Sequence, residues 1–378
     1  MTTTTTTTPT ATTITPTAPV AAPPAPAAAS VPNDSPSAVA ERLVQIFDDG
    51  AVAILLGVGY DTGLLETLAE LPPATSRQVA DAAGLDERYV REWLGGVVCA
   101  EVVEYDPATR TYALCPEVRP FVTGPGADNL ARAMRYIGLM GQVGPQVAAC
   151  FRAGGGLTYA DYPEFHHVQA GESAAVNDAG LVDTIIPLTG LVAALQRGID
   201  VADVGCGEGH AINLLARAFP RSRFTGFDFS DEALAAGRAE AAAWDLTNAT
   251  FELRDVATLP TASFDLVTAF DAIHDQAHPA TVLAAIRGAL RPDGTFLMVD
   301  INASSNLEDN VDLPWGSFLY AISTFHCMPV SLGQGGDGLG TVWGVQLAEQ
   351  MLREAGFGEV VLHELEDDPF NAYVVARP

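Results

Sequence analysis

From Asp200 onward, short apolar runs alternate with stretches of helical character. The runs are Val201–Val204, Phe224–Phe227 ending in Asp228, Thr250–Arg254, Phe264–Phe270 and, after a helix end at Leu290 and a turn at Asp293-Gly294, Thr295–Leu297. Strands that recur with helices between them are the signature of a doubly wound α/β sheet, because each helix crosses a sheet face to bring in the next parallel strand.

Ahead of that region the pattern is mostly helical. Ser35-Pro36 offers an N-cap and a first-turn proline to a helix running through Val44, Ile46 and Phe47. The apolar run Ala51–Val58 predicts a core helix and is far shorter than the roughly 18 residues a membrane span needs. A helix at Leu64–Leu71, one from Thr75 stopped by Gly84, and a third over Glu87–Val97 are followed by two short strands, Glu101–Tyr105 and Thr111–Leu114, around Asp106-Pro107. This order resembles a winged helix-turn-helix. Residues 129–195 read as helical, with the polar-aromatic segment Tyr159–His167 in their middle. Residues 1–34 are Thr, Pro and Ala without periodicity, too poor in buriable surface to offset ordering entropy, and are expected to be disordered. Ala27-Ala28-Ala29 mimics a leader cleavage site, but no basic or continuous apolar segment precedes it, so secretion is not expected. The predicted units are therefore a tail (1–34), a winged-helix domain (35–125), a helical linker and lid (126–195) and the α/β domain (196–378).

Charge narrows the partners. All 19 basic residues are Arg, set against 47 acids, for a net charge of −28. Residues 36–128 alone carry 15 acids and 6 Arg, and the helix over Glu87–Val97, the second of the helix-turn-helix pair, presents Asp86, Glu87 and Glu92 beside Arg88 and Arg91. Counterion release from nucleic acid needs the opposite sign, so neither a nucleic-acid nor a membrane partner is expected. The cysteines, Cys99, Cys115, Cys150, Cys206 and Cys327, are odd in number and form no CxxC pair, which fits a reducing, cytoplasmic setting.

The strongest local signal follows the first strand: Asp203-Val204-Gly205-Cys206-Gly207-Glu208-Gly209-His210. Glycines here let a ligand approach the backbone. The spacing is G-x-G-x-G and not the G-x-G-x-x-G of a pyrophosphate-binding turn, and carboxylates at Asp203 and Glu208 would repel phosphate. They suit a phosphate-free ligand with sulfonium and ammonium charges: S-adenosylmethionine. Asp228, 23 residues beyond Gly205, ends the second strand where an acid accepts hydrogen bonds from ribose hydroxyls. Phe229 follows it, Asp255-Val256 ends the third strand within reach of an adenine amino group, and Phe270 ends the fourth.

Taken in order, these landmarks resemble the class I S-adenosylmethionine-dependent methyltransferases over residues 196–378; with the front unit, the chain resembles actinobacterial and nematode-type small-molecule methyltransferases that carry a winged-helix domain. The resemblance implies a Rossmann-like seven-stranded sheet of order 3-2-1-4-5-7-6, with Val360–Leu362 and Ala372–Val375 as the antiparallel closing pair. It implies cofactor roles for Asp203, Gly205, Cys206, Gly207, Gly209, Asp228, Phe229, Asp255, Val256 and Phe270. It also implies that the front domain serves homodimerisation and covers substrate.

Methyl transfer needs a nucleophile aligned on the sulfonium methyl and often a base. The Asn/Asp-Pro-Pro-Tyr/Phe signature of nucleobase methylases is absent at Phe270-Asp271-Ala272-Ile273, which favours a small-molecule acceptor of undetermined nucleophile. His326 in the aromatic insertion Pro314–Pro329 is the first candidate base, and His274 is a second, active-site residue. Trp315, Tyr320 and His166 are candidate substrate contacts, and the glycine-rich stretch 333–340 is expected to form a mobile loop. His274 and His278, four apart, have the spacing of a metal pair on a helix, although no metal is expected. Two alternatives remain: a regulator sensing S-adenosylmethionine through an inactive methyltransferase domain, and a non-methylating enzyme on the same scaffold.

Overall fold

Among the described residues seven strands form one sheet in the 3-2-1-4-5-7-6 arrangement expected from the sequence. The computed structural model describes residues 35–366 and 368–378; the Thr/Pro/Ala tail lies outside them. The parallel strands are β3 (Asp200–Val204), β4 (Arg223–Asp228), β5 (Ala249–Leu253), β6 (Phe264–Phe270) and β7 (Leu290–Ile301). β9 (Asp368–Arg377) inserts antiparallel between β7 and β8 (Glu359–Leu365). β7 starts earlier than the turn at Asp293-Gly294 suggests: Leu290 pairs with Phe264, and the register then shifts before Leu266 meets Thr295.

Alternation across the pleat splits the apolar side chains between two cores. On β7, Phe296 and Met298 enter one core, and Leu297 and Val299 enter the other. Both faces are therefore covered, as the near-continuous apolar strands require.

The front unit folds as its caps predict. Thr75 and Gln78 form a capping box on the helix Ser76–Ala83, and Asp86 caps Glu87–Cys99. β1 (Val103–Asp106) and β2 (Thr111–Leu114) make the antiparallel wing. The first helix, Pro36–Asp61, departs from the core-helix expectation. Leu56, Gly57 and Gly59 are buried, whereas Val39, Leu43, Val44, Ile46 and Phe47 are exposed, and even Ile54 and Val58 within the apolar run are half-exposed. By length and composition it is also the one described helix apolar enough to cross a membrane, yet it bears Glu41, Arg42, Asp48 and Asp49 and packs on the helix Arg135–Ala153.

The stretch 333–340 is docked rather than loose. The Asp337 amide donates to the Ala277 carbonyl at 2.8 Å, and a Cβ on Gly336 would stand 2.3 Å from the same oxygen. The glycines let this strand of chain lie flat on the loop after β6.

Gly209 is a test of the turn. Its φ is +71°, and a Cβ there would lie 2.2 Å from Cε1 of the core residue Phe251. Gly209→Ala should lose roughly 2–4 kcal/mol in urea unfolding, the left-handed cost plus overpacking. Gly63→Ala, with a φ of +70° but open space around the added methyl, should lose only the first part, roughly 1–2 kcal/mol.

Candidate active site

β3 ends at Val204, and the chain then turns through Gly205, Gly207 and Gly209, all with positive φ, into the helix His210–Ala218. A Cβ on Gly205 would lie 2.6 Å from that of Ala272, so glycine allows the turns after β3 and β6 to meet. The amides of Gly205 and Cys206 donate to the Phe227 carbonyl at 2.9 and 3.1 Å, which binds the turn to β4. Asp228 is fixed by two more amides: Gly207 donates to Oδ2 and Ser230 to Oδ1, each at 2.9 Å. Each oxygen keeps a further lone pair for a ligand.

Asp203 is 2% exposed and accepts the Thr268 hydroxyl at 2.7 Å; burial pushes its carboxyl up to about 7. Phe229, half-exposed, follows Asp228. Asp255 is exposed and caps the turn Val256–Thr258 through the Ala257 amide at 2.9 Å. Phe270 closes β6 against the core. The structure thus brings together at one sheet edge the residues to which the sequence assigns cofactor contact.

The loop after β6 holds the titratable groups. Asp271 adopts φ +49°, a conformation L residues other than Asn and Asp seldom take, and burial pushes its carboxyl up to about 7. His274 Nδ1 lies 2.9 Å from Asp300 Oδ1 at the end of β7, and the same oxygen accepts from Trp343 Nε1 at 3.2 Å and from the Ile301 amide at 2.8 Å. Burial alone would depress the imidazole; the Asp300 carboxylate outweighs it and holds His274 well above its ordinary value. The thiol of Cys327 faces the same ring and accepts the Thr341 hydroxyl at 3.0 Å. Asp275, raised by burial to about 6, accepts the Tyr159 hydroxyl at 3.4 Å.

Tyr159 belongs to the polar-aromatic segment, which folds over this edge. Its ring lies 4.9 Å from Phe229 and stacks on His166 at 5.0 Å. The following helix, Phe165–Gly180, packs on the helix His210–Ala218 behind the glycine turn. His326 is buried beneath the segment, stacked on Phe165 at 3.4 Å with 7° between the planes and edge-on to Tyr162 at 4.8 Å. Burial drives its imidazole well below the ordinary value.

Not every candidate gathers here. Trp315 is half-exposed and edge-on to Phe370, and Tyr320 is half-exposed with its hydroxyl accepting from Asn310. Trp315 is the N-cap of the helix Gly316–Ile322 and Tyr320 lies within it, while the buried side of that helix is Leu319 and Ile322, so the structure does not bring the two to the histidine cluster. His274 and His278 share no helix: the next helix starts at Pro279, and His278 is exposed beside Asp337. Among the described residues no His, Cys, Asp and Glu group could hold a metal. Sequence reasoning missed Asp300 and Trp343 as partners of His274. Asp300 carried a usable signal, since it is an acid within a buried strand, as Asp203 is.

Residues 50–124 match the Rv2258c-like winged HTH domain family, and residues 195–325 match a methyltransferase domain family. The fold is similar to a putative O-methyltransferase of Nostoc punctiforme (16% identity, 91% of this chain and 100% of the other, TM-score 0.68) and to human N-acetylserotonin methyltransferase (15% identity, 92% and 99%, TM-score 0.67). Curated relatives include a ubiquinone biosynthesis O-methyltransferase of Neisseria meningitidis, 31% identical over 112 residues (28% of this chain, 45% of the relative). A trans-aconitate 2-methyltransferase of Acidovorax is 30% identical over 115 residues (30% and 40%). The chain spans less than half the length of these curated relatives. Residues 195–325 are thus a methyltransferase domain, set behind a winged helix-turn-helix domain over residues 50–124.

Proposed function

We propose that the protein transfers the methyl group of S-adenosylmethionine to a hydroxyl of an uncharged small molecule, with His274 as the base. The observation that carries this is the His274–Asp300 pair, buried at the ends of β6 and β7 beside the glycine turn. The site suits the cofactor on chemical grounds: Asp203 is a buried carboxyl with no cationic partner among the described residues, and Asp228 is preset by two amides. When bound, the cofactor supplies an electrophilic methyl on a sulfonium. The glycine turn and Asp228 would orient the nucleoside, and the buried carboxyl of Asp203 would balance the charge of the ligand's ammonium. His274, held by Asp300 through Nδ1, uses Nε2 to remove the acceptor's proton, and Asp300 stabilises the imidazolium that results.

Charge bears on the acceptor. One relative is named for trans-aconitate, a polyanion. Here Asp271, Asp275 and Asp300 lie around the base, while Arg132 is tied to Glu172 and Arg135 to Asp61. An uncharged acceptor fits this setting better. In the front domain, Arg88 pairs with Glu92, and Arg77 and Arg91 with Glu87, leaving little positive surface for phosphates. All five cysteines are unpaired thiols, which suits a cytoplasmic protein. We further propose a homodimer, in which a second copy covers the apolar stripe of the first helix, where Phe47 is 82% exposed. Phe47→Glu should then sediment as a monomer where the unmodified chain sediments as a dimer; a monomeric unmodified chain rejects the homodimer.

Calorimetric titration with S-adenosylhomocysteine tests the cofactor assignment. Asp228→Ala should weaken binding by about 1–3 kcal/mol through lost hydrogen bonds. No binding by the unmodified chain would end the methyltransferase reading.

The base is tested by pH. A base must be unprotonated, and Asp300 raises the His274 pKa, so turnover should climb with pH through a limb above 6.5, the ordinary His value. Asp300→Asn should move that limb to lower pH while reducing the plateau, and His274→Ala should cost roughly 10²–10⁴-fold. A limb that stays in place in Asp300→Asn removes the pair from the mechanism.

A further inference from the structure

We propose that His326 is a specificity-determining residue: its Nε2 binds a second hydroxyl of an uncharged aromatic acceptor while His274 receives the first. The proposal rests on the methyl-transfer reading above and extends it to the kind of acceptor taken.

His326 is 3% exposed, and its Nε2 is buried with no hydrogen-bond partner among the described residues. Buried polar atoms without partners are few, because leaving water without a replacement bond is costly. The other nitrogen is engaged, with Nδ1 3.7 Å from the Cys327 sulfur. That sulfur also faces His274, so the two imidazoles are neighbours around one thiol. Two ring nitrogens so placed can contact two polar groups of one small ring.

The ring is also held still. It lies parallel to Phe165 with Tyr162 at its edge, and the Tyr162 hydroxyl is anchored on the Phe325 carbonyl at 2.6 Å. It stands on the π-helical turn Ser323–Cys327, between the helices Gly316–Ile322 and Met328–Gly333. One extra residue in such a turn re-aims the side chains it carries, and these turns recur at functional sites. The aromatic surroundings favour a flat acceptor.

His326 is unsuited to be the base. Among the described residues no carboxylate orients it, and burial, with His166 and His274, drives its imidazole well below the ordinary value. A neutral imidazole donates or accepts at Nε2 according to its tautomer, and a hydroxyl group can answer either. A histidine there only for packing would affect all acceptors equally.

The test uses the full chain, methyl-labelled S-adenosylmethionine and three probes: phenol, catechol and resorcinol. At least one diol should exceed phenol by roughly tenfold or more in kcat/KM, mainly through KM, as in sites built around a substrate hydroxyl. His326→Leu should bring the diol-to-phenol ratio close to one with S-adenosylhomocysteine affinity unchanged, and His326→Gln should restore part of it. In the unmodified protein, the His326 ¹⁵N resonance of Nε2 should move on adding the diol and not on adding phenol, which decides the matter even if a variant fails to fold. An unchanged ratio in His326→Leu, no diol preference, an unmoved resonance, or no transfer to any probe by protein that binds S-adenosylhomocysteine overturns the proposal alone. Failure to bind S-adenosylhomocysteine overturns the methyl-transfer reading instead.

Discussion

The arrangement of this site depends on carboxyl groups kept out of water at the carboxyl edge of the sheet. Asp203 and Asp271 are pushed to about 7 by burial and Asp275 to about 6, values at which each is readily neutral or charged near physiological pH. A desolvated carboxylate is costly unless a cation or hydrogen-bond donors compensate it. Asp300 has such compensation in His274, Trp343 and the Ile301 amide, and Asp228 has it in two backbone amides. Asp203 has, among the described residues, only a neutral hydroxyl. The edge is therefore incomplete electrostatically, in the direction that a cationic, phosphate-free ligand corrects.

The sheet was legible because its signal is local. Each parallel strand is buried on both faces and so appears as a short apolar run, and the order follows once the runs are matched to the methyltransferase landmarks. The glycine turn was legible for the same reason, since positive φ and close approach demand glycine at particular steps. Boundaries were less so: β7 starts at Leu290, before a proline and a glycine that look like a turn, because its pairing with β6 tolerates a register shift.

The chemistry around the cofactor edge was only partly legible. His274 and Asp300 are 26 residues apart and meet because β6 and β7 are neighbours that end together. No spacing rule joins them. The candidates Trp315 and Tyr320 look like substrate walls by composition, yet a helix has two sides, and Leu319 and Ile322 take the buried one. His326 was found by its aromatic neighbourhood, but its separation from any carboxylate could be read only in three dimensions.

The polar-aromatic segment Tyr159–His167 shows why the front half of the chain matters to a site built from the back half. Tyr159 reaches Phe229 and Asp275, and Phe165 lies flat on His326, so the segment contributes one wall to the cofactor edge and another to the histidine cluster. Its position is set by backbone as well as by side chains. The Leu157 amide donates to the Pro329 carbonyl at 2.9 Å, and Cβ atoms on Gly156 and Gly333 would lie 2.1 and 2.0 Å from the Pro329 and Leu157 carbonyl oxygens. Two chain segments that approach so closely cannot slide past one another without breaking that contact. The polar-aromatic segment and the π-helical turn carrying His326 are therefore joined through one glycine-lined seam, and neither can shift alone without opening it.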